Sequence, residues 1–248
     1  MHFHASRAVR VMGALGATAT LASTAIALSA GPAFADESTC TVNGVEASGE
    51  EINGTEGNDV ILCPNGIQRG TTLNAGAGDD EITATGADDP GNWSGGYGSA
   101  GEIYAGEGND TITITGGKPG GGGLVKTMYP ASINGGGGDD TITVRGMPGA
   151  QKAGPDGNYG GTINGDDGND RIEVTAGEGT TMGTGGAGSS GPVNGGAGDD
   201  TIIVSSALGS HGPGPALSST GVIDGGDDYD TCSTPVGANE GTITNCEA

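Results

Sequence analysis

Residues that alternate between apolar and polar recur along the chain in short blocks. Thr141-Ile142-Thr143-Val144-Arg145 alternates, as do Thr111-Ile112-Thr113-Ile114-Thr115 and the blocks holding Ile82 and Ala84, Ile172 and Val174, and Ile202 and Val204. Period-two alternation rich in β-branched residues predicts a strand with one buried face. A second inward residue precedes each block: Leu73, Ile103, Ile133, Ile163, Val193 and Ile223. Between the two lies a Gly-rich turn, beginning at Gly54, Ala75, Ala105, Gly135, Gly165, Gly195 and Gly225. The last six copies are 30 residues apart, whereas the step from Asn53 to Asn74 is 21.

A fixed period of this size predicts an all-β parallel solenoid, or β-roll, of stacked 30-residue coils. Each coil is a short strand, a tight turn and a longer strand. Stacking places the Ile and Val side chains in columns about 4.8 Å apart, the strand spacing of a sheet. Because every coil runs the same way, the sheets are expected to be parallel. Residues 36–72 read as an N-terminal cap with a first short coil, 73–222 as the solenoid proper, and 223–248 as a last turn with a C-terminal cap. The Gly-rich remainder of each coil keeps its length, so it is expected to be ordered, though its path is not readable.

The sixth turn position is always aspartate: Asp59, Asp80, Asp110, Asp140, Asp170, Asp200 and Asp230. Stacking brings these carboxylates into one column, where like charges repel. A bound cation is the obvious reason for such a column. Glycines suit the turn because it must take positive φ and expose carbonyls, and a hard cation such as calcium takes 6–8 oxygens from carbonyls and carboxylates.

Gly135-Gly136-Gly137-Gly138-Asp139-Asp140-Thr141-Ile142-Thr143 resembles the RTX, or hemolysin-type, calcium-binding nonapeptide G-G-x-G-x-D-x-U-x, as does Gly195 to Ile203. Gly165 to Glu173 differs only by Asp166 at the second glycine. Ala75 and Ala105 replace the first glycine, Thr55 the second, and the last copy carries Asp228 and Tyr229. The resemblance implies a parallel β-roll with Ca2+ between stacked turns. Its ligands would be the seven sixth-position aspartates and the backbone oxygens of their turns, from Gly54 to Gly225. Family repeats usually follow one another directly. One motif per 30-residue coil implies a single ion row on one edge.

Composition sharpens this picture. The chain has 55 glycines and 11 prolines in 248 residues, a level that without periodicity would signal disorder. With 8 basic against 31 acidic residues its net charge is −23, which opposes nucleic acid as a partner and favours divalent cations. The first 35 residues read as a secretory signal peptide: Arg7 and Arg10, an apolar run from Val11 to Ala30, and Ala33-Phe34-Ala35 at the cleavage site. Nothing later is apolar enough to span a bilayer. A secreted, extracellular protein is therefore expected. Its four cysteines pair as Cys40–Cys63 and Cys232–Cys246, each stapling an end coil and each worth roughly 3 kcal/mol by the chain-entropy estimate.

No catalytic residue is assigned. His211 has no evident partner, and the basic residues needed to hold an acidic sugar are scattered, so a β-helix polysaccharide-active enzyme is an alternative rather than the main reading. Ice binding through ranks of Thr111, Thr113, Thr115, Thr141 and Thr143 is a further alternative, interrupted by Glu81, Arg145, Arg171, Glu173 and Ile203. The main expectation is a calcium-binding structural or surface module that needs its ion to fold, with a cell-surface or matrix partner.

Overall fold

In the computed structural model the described residues are 38–88, 97–117, 126–128, 131–148, 154, 156–179 and 183–247. The expected leader, residues 1–35, lies outside them. The chain divides between Ala35 and Asp36, and the whole solenoid belongs to Asp36–Ala248. Every regular element among the described residues is a strand.

Two parallel sheets run the length of the stack. One is built from the strands that follow each aspartate: Val60–Cys63, Glu81–Thr85, Thr111–Thr115, Thr141–Arg145, Arg171–Thr175, Thr201–Ser205 and Thr231–Ser233. The other holds the strands that lead into each turn: Glu51–Asn53, Thr72–Ala77, Glu102–Glu107, Ser132–Gly137, Thr162–Asp167, Pro192–Ala197, Val222–Asp227 and Thr242–Thr244. Register follows the period, with Ile133 opposite Ile103 and Ile163, and Ile142 opposite Ile112 and Ile172. The 21-residue first coil is real, since Asn53 pairs with Asn74.

The interior is three aliphatic columns. Ile52, Leu73, Ile103, Ile133, Ile163, Val193 and Ile223 form one, Ile61 to Ile202 the second, and Cys63, Ala84, Ile114, Val144, Val174 and Val204 the third; all are at most 1% exposed. Chains with so few aromatics can still bury surface this way, because in a narrow coil each aliphatic contacts its equivalents above and below. On the outer face, Thr111 and Thr113 do stand beside Thr141 and Thr143, but the next rank carries Arg171 and Glu173. There Glu173 meets Arg145 and Arg171 at 3.7 and 3.4 Å.

The N-terminal end departs from the all-parallel expectation. Ser38–Val42 and Val45–Gly49 form a hairpin whose first strand pairs antiparallel with Val60–Cys63. Its two-residue turn is Asn43-Gly44, both with positive φ, 51° and 78°, the geometry that Asn-Gly hairpins favour. The hairpin covers an edge that a solenoid would otherwise leave open. At the other end Thr242–Thr244 adds a further rung on Val222–Asp224 after a shortened coil. Both expected disulfides form and staple these two caps, marking a chain that matures in an oxidising environment. Among the described residues no helix is long and apolar enough to cross a membrane.

The Gly-rich side is ordered where described. Among the described residues it joins neighbouring coils through single bridges, Ile67 with Ser99, Asn158 with Ser189, Ser189 with Leu217 and Leu217 with Asn239, and through Lys126–Met128 paired with Asp156–Asn158. Buried polar residues line it: Asn158 donates to Ser189 Oγ at 3.1 Å and to Gly161 O at 2.8 Å.

Candidate metal centre: the aspartate ladder

All seven sixth-position aspartates turn inward and are at most 2% exposed. They make one continuous ladder. The Asp59 N–H donates to Asp80 Oδ1 at 2.8 Å, and the same bond joins Asp80 to Asp110, Asp110 to Asp140, Asp140 to Asp170, Asp170 to Asp200 and Asp200 to Asp230, at 2.7–2.9 Å. The final N–H, of Asp230, donates to Glu247 Oε2 at 2.7 Å, so a tail glutamate stands in for the next aspartate. At the first rung Asn43 Nδ2 donates to Asp59 Oδ1. Neither Asn43 nor Glu247 is visible from the repeat, because each enters from a cap that lies outside it.

One oxygen of each carboxylate is thus committed to backbone. The other is not. Oδ2 of Asp80, Asp110, Asp140, Asp170, Asp200 and Asp230 is buried and has no hydrogen-bond partner. A buried, unpaired carboxylate oxygen is among the costliest groups a fold can carry. Burial, with neighbouring aspartates adding to it, pushes the Asp140 and Asp200 carboxyls up to about 7 and those of Asp110 and Asp170 up to about 6. Asp80 and Asp230 are raised for the same first reason. Asp59 is the exception within the ladder: its Oδ2 accepts the Thr55 N–H at 2.5 Å and the Thr55 hydroxyl at 3.0 Å.

The orphaned oxygens face space that the turn glycines keep open. A methyl on Gly135 would fall 2.5 Å from Gly165 O in the next coil and closer still to Asp140 Oδ2. The same pair of oxygens, own-coil Asp Oδ2 and next-coil carbonyl, converges beside Gly165 (Asp170 and Gly195 O), Gly195 (Asp200 and Gly225 O) and Gly225 (Asp230 and Asn245 O). These are cradles a Cβ would fill: at each, the carboxylate oxygen and the next-coil carbonyl crowd together beside a glycine Cα, and any side chain there would collide with both. No three His, Cys, Asp or Glu side chains converge on one point among the described residues. Any ion held here draws on backbone carbonyls for most of its shell, which is what a Gly-rich turn supplies.

A second ladder runs along the outside of the same turns. The residue before each aspartate is in turn Asn58, Asp79, Asn109, Asp139, Asn169, Asp199 and Tyr229, all exposed. Each side-chain oxygen from Asn58 to Asp199 accepts the backbone N–H of the next residue in the row, at 2.8–3.1 Å. Asn and Asp alternate strictly until Tyr229, so no two carboxylates are adjacent. The alternation could have been read from the chain, since the pair before each strand is ND, DD, ND, DD, ND, DD and then YD. A third row stands on the turn-leading strands, where Asn164 Nδ2 donates to Asn134 Oδ1 and Asn194 Nδ2 to Asn164 Oδ1, both at 2.7 Å.

No known protein family, curated protein or solved structure matches the chain. The functional reading therefore rests on the ladder.

Proposed function

We propose that this is a secreted calcium-binding repeat protein of the RTX type, in which Ca2+ seated along the inner aspartate ladder is required for the solenoid to hold together. The observation that carries this reading is the file of six buried Oδ2 atoms without partners. A divalent cation would supply the missing counter-charge and use the turn carbonyls that the glycines leave unobstructed. Calcium fits better than zinc because the donors are hard oxygens, and both cysteine pairs are tied up in disulfides. The residues that would hold it are the ladder aspartates and the carbonyls of Gly165, Gly195, Gly225 and Asn245, beside the turn glycines Gly135, Gly165, Gly195 and Gly225.

The ion's role here is structural. It neutralises the column, joins each coil to the next and converts a Gly-rich polyanion into an ordered stack. Calcium is abundant outside cells, so affinities of about 10⁻⁴ to 10⁻³ M suffice, as in other extracellular modules. The coupled stack would serve as a surface or matrix module whose shape depends on external calcium.

Circular dichroism at neutral pH tests the coupling. Excess chelator is expected to abolish most of the β signal and added Ca2+ to restore it; an unchanged spectrum in chelator would rule the coupling out.

A further inference from the structure

The seven motif copies are not equivalent, and the differences fall at the cradle. In the copies ending at Asp140, Asp170, Asp200 and Asp230 the first turn residue is glycine, Oδ2 is orphaned, and that oxygen and a next-coil carbonyl converge where a Cβ would stand. In the copies ending at Asp80 and Asp110 the first turn residue is Ala75 or Ala105, fully buried and part of the apolar core. Register sets Ala75 and Ala105 in line with Gly135, since Gly76, Gly106 and Gly136 are paired neighbours. Their methyl groups stand where the later turns leave the cradle empty. In the first copy Gly54 is retained, but Thr55 already supplies two hydrogen bonds to Asp59 Oδ2. At the first turn Asp59 Oδ2 and Ala75 O converge beside Gly54 as in the later turns, but Oδ2 is already satisfied by Thr55; at the two alanine turns the Oδ2 of Asp80 and Asp110 is unpartnered, and a methyl takes the place of the glycine hydrogen.

We infer that calcium loads only the C-terminal part of the ladder, at the four turns opened by Gly135, Gly165, Gly195 and Gly225, and that Ala75 and Ala105 act as methyl plugs on the two preceding sites. The inference rests on the calcium reading above. The last site is completed differently from the others, by Asn245 O, whose neighbour Cys246 is tethered to Cys232. The first rung holds without an ion through the Asn43 and Thr55 hydrogen bonds to Asp59 and the Cys40–Cys63 cap. A metal-independent end of this kind offers a template on which the calcium-dependent coils stack.

Calorimetric titration of the disulfide-intact protein with Ca2+ alone reads this directly. The expected stoichiometry is about four ions, rising to about six in Ala75→Gly/Ala105→Gly, which removes bulk and disturbs no carboxylate. Six or seven ions in the unaltered protein, or no gain in the double variant, would overturn the partition while leaving calcium binding intact. No binding at all in either protein would overturn the calcium reading itself. Gly165→Ala, which adds a methyl beside Asp170 Oδ2, is expected to cost one site; an unchanged count would also defeat the proposal, and its circular dichroism in saturating Ca2+ separates a lost site from a lost fold.

Discussion

The two aspartate-bearing ladders on the same turns solve the same hydrogen-bonding problem in different ways. On the outside, where water screens charge, Asn alternates with Asp and every backbone N–H along the row is met. On the inside, where burial magnifies repulsion, every rung is Asp. Asparagine would accept the same N–H through its Oδ1 and would present an NH2 to the neighbouring carbonyl instead of an orphaned oxygen. Hydrogen bonding alone therefore accounts for the outer row but not for the inner one. The unbroken row of carboxyls inside is what the proposed counter-ion would explain.

That contrast can be broken experimentally. The largest expected effect is from calcium removal, since each site filled at 100 times its Kd adds about 2.7 kcal/mol to folding stability. Next is pH in the absence of calcium. The inner carboxyls of Asp110, Asp140, Asp170 and Asp200 are raised from an ordinary 3.8 to about 6 or 7, so between those limits the folded stack binds more protons than the unfolded chain. Stability from this source is complete below about pH 4 and is lost as pH rises through 6 to 7. In chelator, β structure followed by circular dichroism should therefore return on acidification to about pH 5 and vanish by pH 8. Acid-induced loss instead would reverse the sign and discredit the buried-ladder account.

Substituting single rungs gives smaller effects, and unequal ones on the two rows. Asp140→Asn keeps the Oδ1 acceptor and removes a buried charge. In chelator it should stabilise by about 1–3 kcal/mol, and in calcium it should lower the ion count, read by denaturant melts and calorimetry. Asp139→Asn on the outer row should stay within about 0.5 kcal/mol and leave calcium binding unchanged. The smallest expected gain is Asp166→Gly. Asp166 holds φ at 78° where the equivalent Gly136 and Gly196 sit at 116° and 130°, so glycine should stabilise by about 1 kcal/mol in a thermal melt.

The aliphatic columns, the aspartate register and both cysteine pairs were legible in the chain because each repeats at a fixed spacing or pairs at a closed end. Apart from the outer Asn/Asp row, what escaped does not repeat. The antiparallel hairpin hangs on Asn43-Gly44 alone, and Glu247 replaces an aspartate only after a shortened coil has shifted the spacing. On the Gly-rich side the bridged residues are Ile67, Ser99, Asn158, Ser189, Leu217 and Asn239, of mixed chemistry and uneven spacing, so no column is visible. The motif shows an aspartate at each sixth position and says nothing of what surrounds it. Thr55 and the methyls of Ala75 and Ala105 change the surroundings without touching the aspartate.

The inner bonds all point one way: each coil donates its Asp N–H forward, to a carboxylate that lies 21 or 30 residues later. A chain emerging N-terminus first thus always presents one unmet donor at its growing edge and waits for the next aspartate to satisfy it. The outer ladder runs the other way, each N–H donating back to the coil before it, so neighbouring coils are tied by bonds of opposite polarity and Glu247 closes the inner set at the tail.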